Sequence, residues 1–172
     1  EKTIAIIGLG SVGGRVALSL ARSGVRKFVL VDDDVLLTGN ICRHVLDWRN
    51  VGEHKVDAIA NSLSYVAPDI EFDLWPLNLT GQESVTWMNK ALGKIAGSDL
   101  IFDATANPGV FNLLASVAKS ESKPVVWAEV YSGGFGGMVG RHRPGLDPDP
   151  QTMRAAYLQF CDAQPPPGIH SP

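Results

Sequence analysis

The sequence predicts an α/β fold: a doubly wound, mostly parallel sheet with helices on both faces. Two observations carry that expectation. Short apolar runs alternate along the chain with segments whose apolar residues recur at helical spacing. Strands separated by helices need crossovers, and these lay helices over both faces of a parallel sheet. Glycine also contributes 18 of the 172 residues, above the usual ~7%. It clusters at Gly8–Gly14 and Gly133–Gly140, so it marks turns or sites rather than a flexible composition.

Each element follows from the residues in order. Thr3–Gly8 is a short apolar run and reads as the first strand. Val12, Val16, Ala17 and Leu20 then share one helical face, and Gly24 stops that helix. Lys27–Asp32 is the second strand, with Phe28-Val29-Leu30-Val31 as its apolar centre. A loop of about 20 residues leads to a helix near Lys55–Tyr65, where Val56, Ile59, Ala60 and Leu63 lie on one face. Glu71–Pro76 alternates as a strand, Glu83–Lys94 suits a helix, and Leu100–Asp103 is a buried-type strand. Pro108–Ser120 is a helix with proline at its first position, where a missing N–H is harmless. Val125–Val130 and Met138–Arg141 are further strands. Asp149-Pro150 joins an N-cap to a first-turn proline and predicts a helix toward Gln164. The tail Pro165-Pro166-Pro167-Gly168 is expected to be extended and poorly ordered. The expected organisation is one domain over 1–145, then a C-terminal helix and proline-rich tail over 146–172.

Composition narrows the function classes. A net charge of −3 and a pI near 5.8 argue against nucleic acid as a partner, since such binders carry a basic patch and a pI above about 9. The longest stretch free of Asp, Glu, Lys and Arg, Ala104 to Ala118, contains Pro108 and Asn112. It falls short of the roughly 20 apolar residues of a membrane span. No N-terminal signal pattern is visible, so a cytoplasmic location is expected. Two cysteines, Cys42 and Cys161, supply neither a disulfide framework nor a four-thiolate zinc site.

Gly8-Leu9-Gly10-Ser11-Val12-Gly13 fits G-x-G-x-x-G between a strand and a helix. In that pattern Gly8 permits the tight turn, Gly10 the approach of phosphate oxygens, and Gly13 close helix-on-strand packing. The helix N-terminus offers unpaired N–H groups and a partial positive charge to an anion. Asp32, 19 residues after Gly13, can accept hydrogen bonds from ribose hydroxyls. The fingerprint alone fits NAD or FAD as well as ATP.

The following loop narrows the choice. It clusters the carboxylates Asp32, Asp33 and Asp34, then supplies Asn40, Arg43 and Lys55, and Asp103-Ala104-Thr105-Ala106-Asn107 closes a later strand. Cations for phosphate oxygens and a carboxylate for Mg²⁺ are the residue types that a metal-bound triphosphate requires. His44 and His54 lie nearby, but no second ligand is spaced to make either a metal site.

With D-x-D, N-x-x-R, G-x-x-K and D-x-T-x-N in order after G-x-G-x-x-G, the chain resembles the ThiF/MoeB/HesA adenylating domains of the ubiquitin-activating-enzyme superfamily, from about Ile4 to Arg143. The resemblance implies a Rossmann-like domain that binds ATP and Mg²⁺. It implies adenylation of the C-terminal glycine carboxylate of a ubiquitin-like or sulfur-carrier protein, with release of pyrophosphate. By it, Asp32 holds the ribose, Asn40, Arg43 and Lys55 contact phosphates, and Asp103 binds Mg²⁺. Asp34 is either a second polar contact or a loop-shaping acid.

Family members also pair across a two-fold dimer. Leu36, Leu37 and Ile41, apolar in a polar loop, fit either burial by a like partner or folding back onto their own core. Relatives commonly carry an N-terminal helix that this chain lacks, which leaves open whether it is a piece of a larger fusion, and the paired C-x-x-C zinc motifs common among them are absent. Relatives also place a reactive thiol after the sheet, which makes Cys161 a possible thiol; a structural cysteine near a helix end is the alternative. Two other functions remain open. An NAD-dependent oxidoreductase would leave Asn40, Arg43, Lys55 and Asp103 without a task, and an inactive scaffold half of a heterodimer typically loses its phosphate-binding residues.

Overall fold

Strands that are apolar at every position are stable only where both faces of a sheet are covered. The computed structural model describes residues 1–131, 134 and 136–163. In chain order its elements are β1 (Thr3–Ile7), α1 (Gly13–Arg22), β2 (Lys27–Val31), α2 (Lys55–Ser64), β3 (Glu71–Trp75), α3 (Val85–Gly97), β4 (Leu100–Asp103), α4 (Pro108–Ser120), β5 (Val125–Tyr131), β6 (Gly136–His142) and α5 (Pro150–Ala163). Both β1 and β2 are buried from their second residue to their last. Ile4, Ile6, Phe28 and Leu30 face α1 and α2 in one core. Ala5, Ile7, Val29 and Val31 face α3 and α4 in the other.

The strands form one six-stranded sheet in the order β3-β2-β1-β4-β5-β6. The first five pair in parallel, with Ile7 in register with Val31 on one side and Asp103 on the other. The order reverses at β1, so a crevice opens at the carboxyl ends of β1 and β4, where such sheets bind ligands. This is the expected doubly wound, Rossmann-like arrangement.

The sheet departs from simple strand–helix alternation at its far edge. β6 returns antiparallel to β5, and it starts at Gly136 rather than Met138. Gly140 makes room for the Trp127 indole: a Cβ at Gly140 would lie 2.1 Å from that ring. α3 begins at Val85 rather than Glu83 because Ser84 Oγ accepts the Trp87 N–H at 3.3 Å. α5 is capped as expected, Asp149 Oδ1 accepting the Thr152 N–H at 3.0 Å. It is held to the sheet by an Arg154–Glu129 ion pair of 3.0 Å, with the Arg154 guanidinium over the Phe111 ring. The proline-rich tail beyond Ala163 lies outside the described residues.

The long loop after β2 carries structure that its sequence did not announce. It holds 3-10 turns at Thr38–Asn40 and Trp48–Asn50 and a bridge between Val35 and His54. Leu36 is fully buried in the chain's own core, which decides its case for folding back, whereas Leu37 is 62% exposed. Among the described residues no helix is long and apolar enough to cross a membrane.

Asn107 caps α4: its Oδ1 accepts the N–H groups of Gly109 and Val110 at 2.8 and 3.3 Å. Asn107→Ala is expected to cost about 1 kcal/mol in a urea melt.

Candidate functional site

The Gly8–Gly13 loop connects β1 to α1 under tight steric limits. Gly8 sits at φ +84°, and a Cβ there would come within 2.9 Å of the Ala104 backbone. A Cβ at Gly13 would fall 1.8 Å from the Gly8 carbonyl oxygen, so helix and turn touch without any gap. Gly10 differs, with nothing within 4 Å of a Cβ built on it. The loop is thus closed beneath and open above at Gly10. α1 has no side-chain cap and no acidic residue in its first turn, which leaves its positive end available to an anion.

A pocket of about 240 Å³ opens in front of this loop, lined by Ile7, Gly8, Gly10, Val31, Asp32, Asp33, Asp34, Leu77, Asn78, Leu79, Ala104, Thr105, Asn107 and Val110. It spans the crevice at the strand ends. Sequence reasoning passed over its β3 side. Asn78, just beyond that strand, donates through Nδ2 to Asp33 Oδ2 at 3.1 Å. Its only signal was its place after a strand's carboxyl end.

Asp32 holds the turn as well as facing the pocket. Its Oδ2 accepts the Leu9 N–H at 2.6 Å and its Oδ1 the Asp34 N–H at 2.9 Å. Burial raises its pKa above 3.8, partly offset by the Leu9 N–H and the Lys55 charge. Lys55 opens α2 and is buried, with Nζ 2.5 Å from Asp34 Oδ2 and 3.9 Å from Asp32 Oδ1. Asp34 therefore acts in this structure as the partner of Lys55. The carboxylate oxygens of Asp32, Asp33 and Asp34 lie within 4.8 Å of one another.

Asp103, the last residue of β4, is 3% exposed. Its Oδ1 accepts the Thr105 N–H at 2.9 Å and the Thr105 hydroxyl at 2.7 Å. Burial raises its pKa above 3.8, the Thr105 hydrogen bonds lower it, and Glu129 and Arg154 act in opposite directions nearby. Ala104 and Thr105, which follow it, line the pocket, and Asp103 itself does not.

Asn40 and Arg43 sit on the loop after β2. Asn40 Oδ1 accepts the Leu37 N–H at 3.0 Å and so shapes its own turn. Arg43 is exposed, and its carbonyl takes a hydrogen bond from Arg15 Nη2 at 3.0 Å. His44 is buried: Nε2 lies 2.7 Å from the Leu9 carbonyl, and Nδ1 accepts the Leu46 N–H at 3.1 Å. Cys42 is exposed, and Cys161 is half-buried in the last turn of α5.

Of the sequence-predicted residues, Gly8, Gly10, Asp32 and Asp34 line the pocket, and Gly13 supports it from beneath. Asn40, Arg43, Lys55 and Asp103 are not on its wall. Lys55 reaches the site through the carboxylates it neutralises, and Asp103 borders it through Thr105. The donor set fits a nucleotide with a divalent cation: an open glycine beside a helix N-terminus for phosphates, and a buried carboxylate with no lysine or arginine hydrogen-bonded to it among the described residues for the metal.

A protein from Enterobacter hormaechei, ATP-dependent ubiquitin transferase-like protein Cap2, is 33% identical over 116 residues, 67% of this chain and 18% of that protein. An Aspergillus fumigatus adenylyltransferase and sulfurtransferase, uba4, is 34% identical over 126 residues, 73% of this chain and 24% of its own length. The chain therefore spans about a quarter or less of these relatives. Among solved structures, Escherichia coli MccB determined with ATP superposes with a TM-score of 0.75 at 20% identity, over 95% of this chain and 48% of that one. The E. coli tRNA N6-threonylcarbamoyladenosine dehydratase TcdA gives 0.65 at 23% identity, over 74% and 50%. Residues 1–164 match the ThiF family, and the chain belongs to it.

Proposed function

We propose that this chain binds MgATP across the Gly8–Gly13 loop and adenylates a carboxylate on a protein acceptor, releasing pyrophosphate. The observation that carries the reading is the open face above Gly10, set between an uncapped helix N-terminus and the buried acid Asp103. The Gly10 backbone and the first turn of α1 would receive phosphate oxygens. Asp32, with both oxygens already fixed, would use its remaining lone pairs on ribose hydroxyls. Arg43 and Asn40 would approach the phosphates from the loop after β2, and Lys55 would do so by exchanging Asp34 for phosphate.

Asp103 and its Thr105 partner would hold Mg²⁺. That ion, when bound, supplies neutralisation of phosphate charge. The acceptor's carboxylate oxygen attacks the α-phosphorus and pyrophosphate leaves. A carboxylate is ionised at pH 7, so the chain need supply positioning and charge rather than a general base. The finer reading names the acceptor as a ubiquitin-like or sulfur-carrier protein ending in glycine, and a like domain as the partner across a dimer. The uba4 and Cap2 relatives support that class, and the exposed Leu37 on the loop after β2 supports pairing.

The test is thermal shift followed by pyrophosphate exchange. MgATP at 100 times its Kd adds about 2.7 kcal/mol, roughly 5–10 °C for a chain of this size, and NAD adds nothing. Arg43→Ala is expected to leave the melting temperature in place, because the side chain is exposed, and to slow exchange by ~10²-fold. A shift with NAD alone would return the oxidoreductase reading. Binding without exchange in the presence of acceptor would return the scaffold.

A further inference from the structure

His44 is buried in the loop after β2, yet none of the chemistry above uses it. Its two ring nitrogens have different partners. Leu46 N–H can only donate, so Nδ1, 3.1 Å away, is unprotonated. The proton therefore sits on Nε2, which donates to the Leu9 carbonyl at 2.7 Å. The hydrogen bonds assign a neutral imidazole in one tautomer. Leu9 lies between Gly8 and Gly10, and its own N–H is held by Asp32 Oδ2 at 2.6 Å. The peptide units on either side of Leu9 are thus pinned, one by Asp32 and the other by His44. His44 also follows Arg43 directly, and the Arg43 carbonyl is fixed to Arg15 of α1.

We propose that His44 is a positioning residue which locks the Gly8–Gly13 loop to the Arg43 segment, and that protonating it costs the ring its Leu46 anchor, loosens the lock and weakens nucleotide binding. This rests on the MgATP reading. A proton added at Nδ1 would face the Leu46 N–H donor to donor and break that bond, while the Nε2–H bond to the Leu9 carbonyl survives and itself favours the cation. The charged groups around the ring come from three elements. Lys55 at the start of α2 and Arg15 on α1 oppose a cation, and Asp32 at the end of β2 favours it. Burial is the largest influence, and the balance holds the His44 pKa below 6.5. A depressed folded-state pKa means the stabilisation is fully present above 6.5 and is lost as pH falls through the folded value. The lock is therefore complete at neutral pH and loosens as pH falls below 6.5.

The test compares wild type with His44→Gln, which retains a donor toward the Leu9 carbonyl but does not titrate, and His44→Phe, which fills the space without hydrogen bonds. MgATP affinity is measured by calorimetry from pH 7.5 to 5.5, and amide exchange of residues 9–12 is measured without ligand at pH 7.5 and 5.5. Wild-type affinity is expected to weaken across that range by more than His44→Gln does, by between about two-fold and ten-fold, since a pKa below 6.5 leaves part of the imidazole neutral at pH 5.5. The Gln variant carries the same titrations of ATP and Asp32, and it stays within about two-fold of wild type at pH 7.5. His44→Phe is expected to bind about ten-fold more weakly already at pH 7.5 and to exchange its loop amides faster. Parallel pH slopes in wild type and His44→Gln would overturn the proposal, as would unchanged exchange in His44→Phe. If the Phe variant fails to fold, the Gln comparison decides. If wild type binds no MgATP, the nucleotide reading fails, while loop exchange in wild type and His44→Gln at pH 7.5 and 5.5 still decides the lock.

Discussion

Asp103→Asn is expected to abolish pyrophosphate exchange, by ~10³-fold or more, while raising the melting temperature of the ligand-free protein at pH 7. The two effects share one cause. The Asp103 carboxylate is 3% exposed, and burial holds its pKa above the ordinary 3.8. A raised folded-state pKa means that the native state binds the proton more tightly than the unfolded chain does. That contribution is complete below 3.8 and is lost as pH rises through the folded value, so at pH 7 the ionised acid is a cost. Asparagine removes the charge yet leaves an oxygen to accept from the Thr105 amide and hydroxyl, now at 2.9 and 2.7 Å. The gain in melting temperature should shrink as pH is lowered toward 3.8, which separates it from improved packing. A variant that is less stable at pH 7, or one that exchanges at the wild-type rate, would remove Asp103 from the metal-binding role.

Such a cost at a functional position shows in the sequence as a pattern rather than as an interaction. Gly8, Gly10, Gly13 and Asp32 were legible because backbone limits at a strand-to-helix turn restrict residue type at fixed spacing. The structure supplies the reasons in the +84° φ of Gly8 and the 1.8 Å approach at Gly13. The parallel core was legible for a similar reason, since β1 and β2 are apolar on both faces. The loop 33–54 was not, because it is built from 3-10 turns and side-chain-to-backbone bonds such as Asn40 to Leu37, which leave no periodicity. For the same reason Lys55 read as a phosphate contact and not also as the partner of Asp34, 21 residues away. A lone loop histidine carried no signal that its ring would reach the Leu9 carbonyl, 35 residues back. Likewise, nothing at Gly140 announced the Trp127 ring that fills its missing side chain.

The two glycines that differ most in their surroundings separate folding from binding. Gly13→Ala is expected to destabilise the protein by ~3 kcal/mol or more, because its methyl group would lie 1.8 Å from the Gly8 carbonyl and 3.2 Å from Ala104 Cβ. Neither neighbour is the far end of a flexible side chain, so α1 or the turn must shift. MgATP binding would weaken with the fold. Gly10→Ala carries no such penalty. Nothing lies within 4 Å of its Cβ and its φ is not positive, so the ligand-free protein should keep its stability or gain about 0.4–1 kcal/mol from a less flexible unfolded chain. The new methyl group would instead stand in the open face where phosphate oxygens must approach the backbone, and the MgATP-induced thermal shift should disappear. Urea melts with and without MgATP on both variants read the two effects independently. Wild-type nucleotide stabilisation in Gly10→Ala would mean that the phosphates do not lie over this loop.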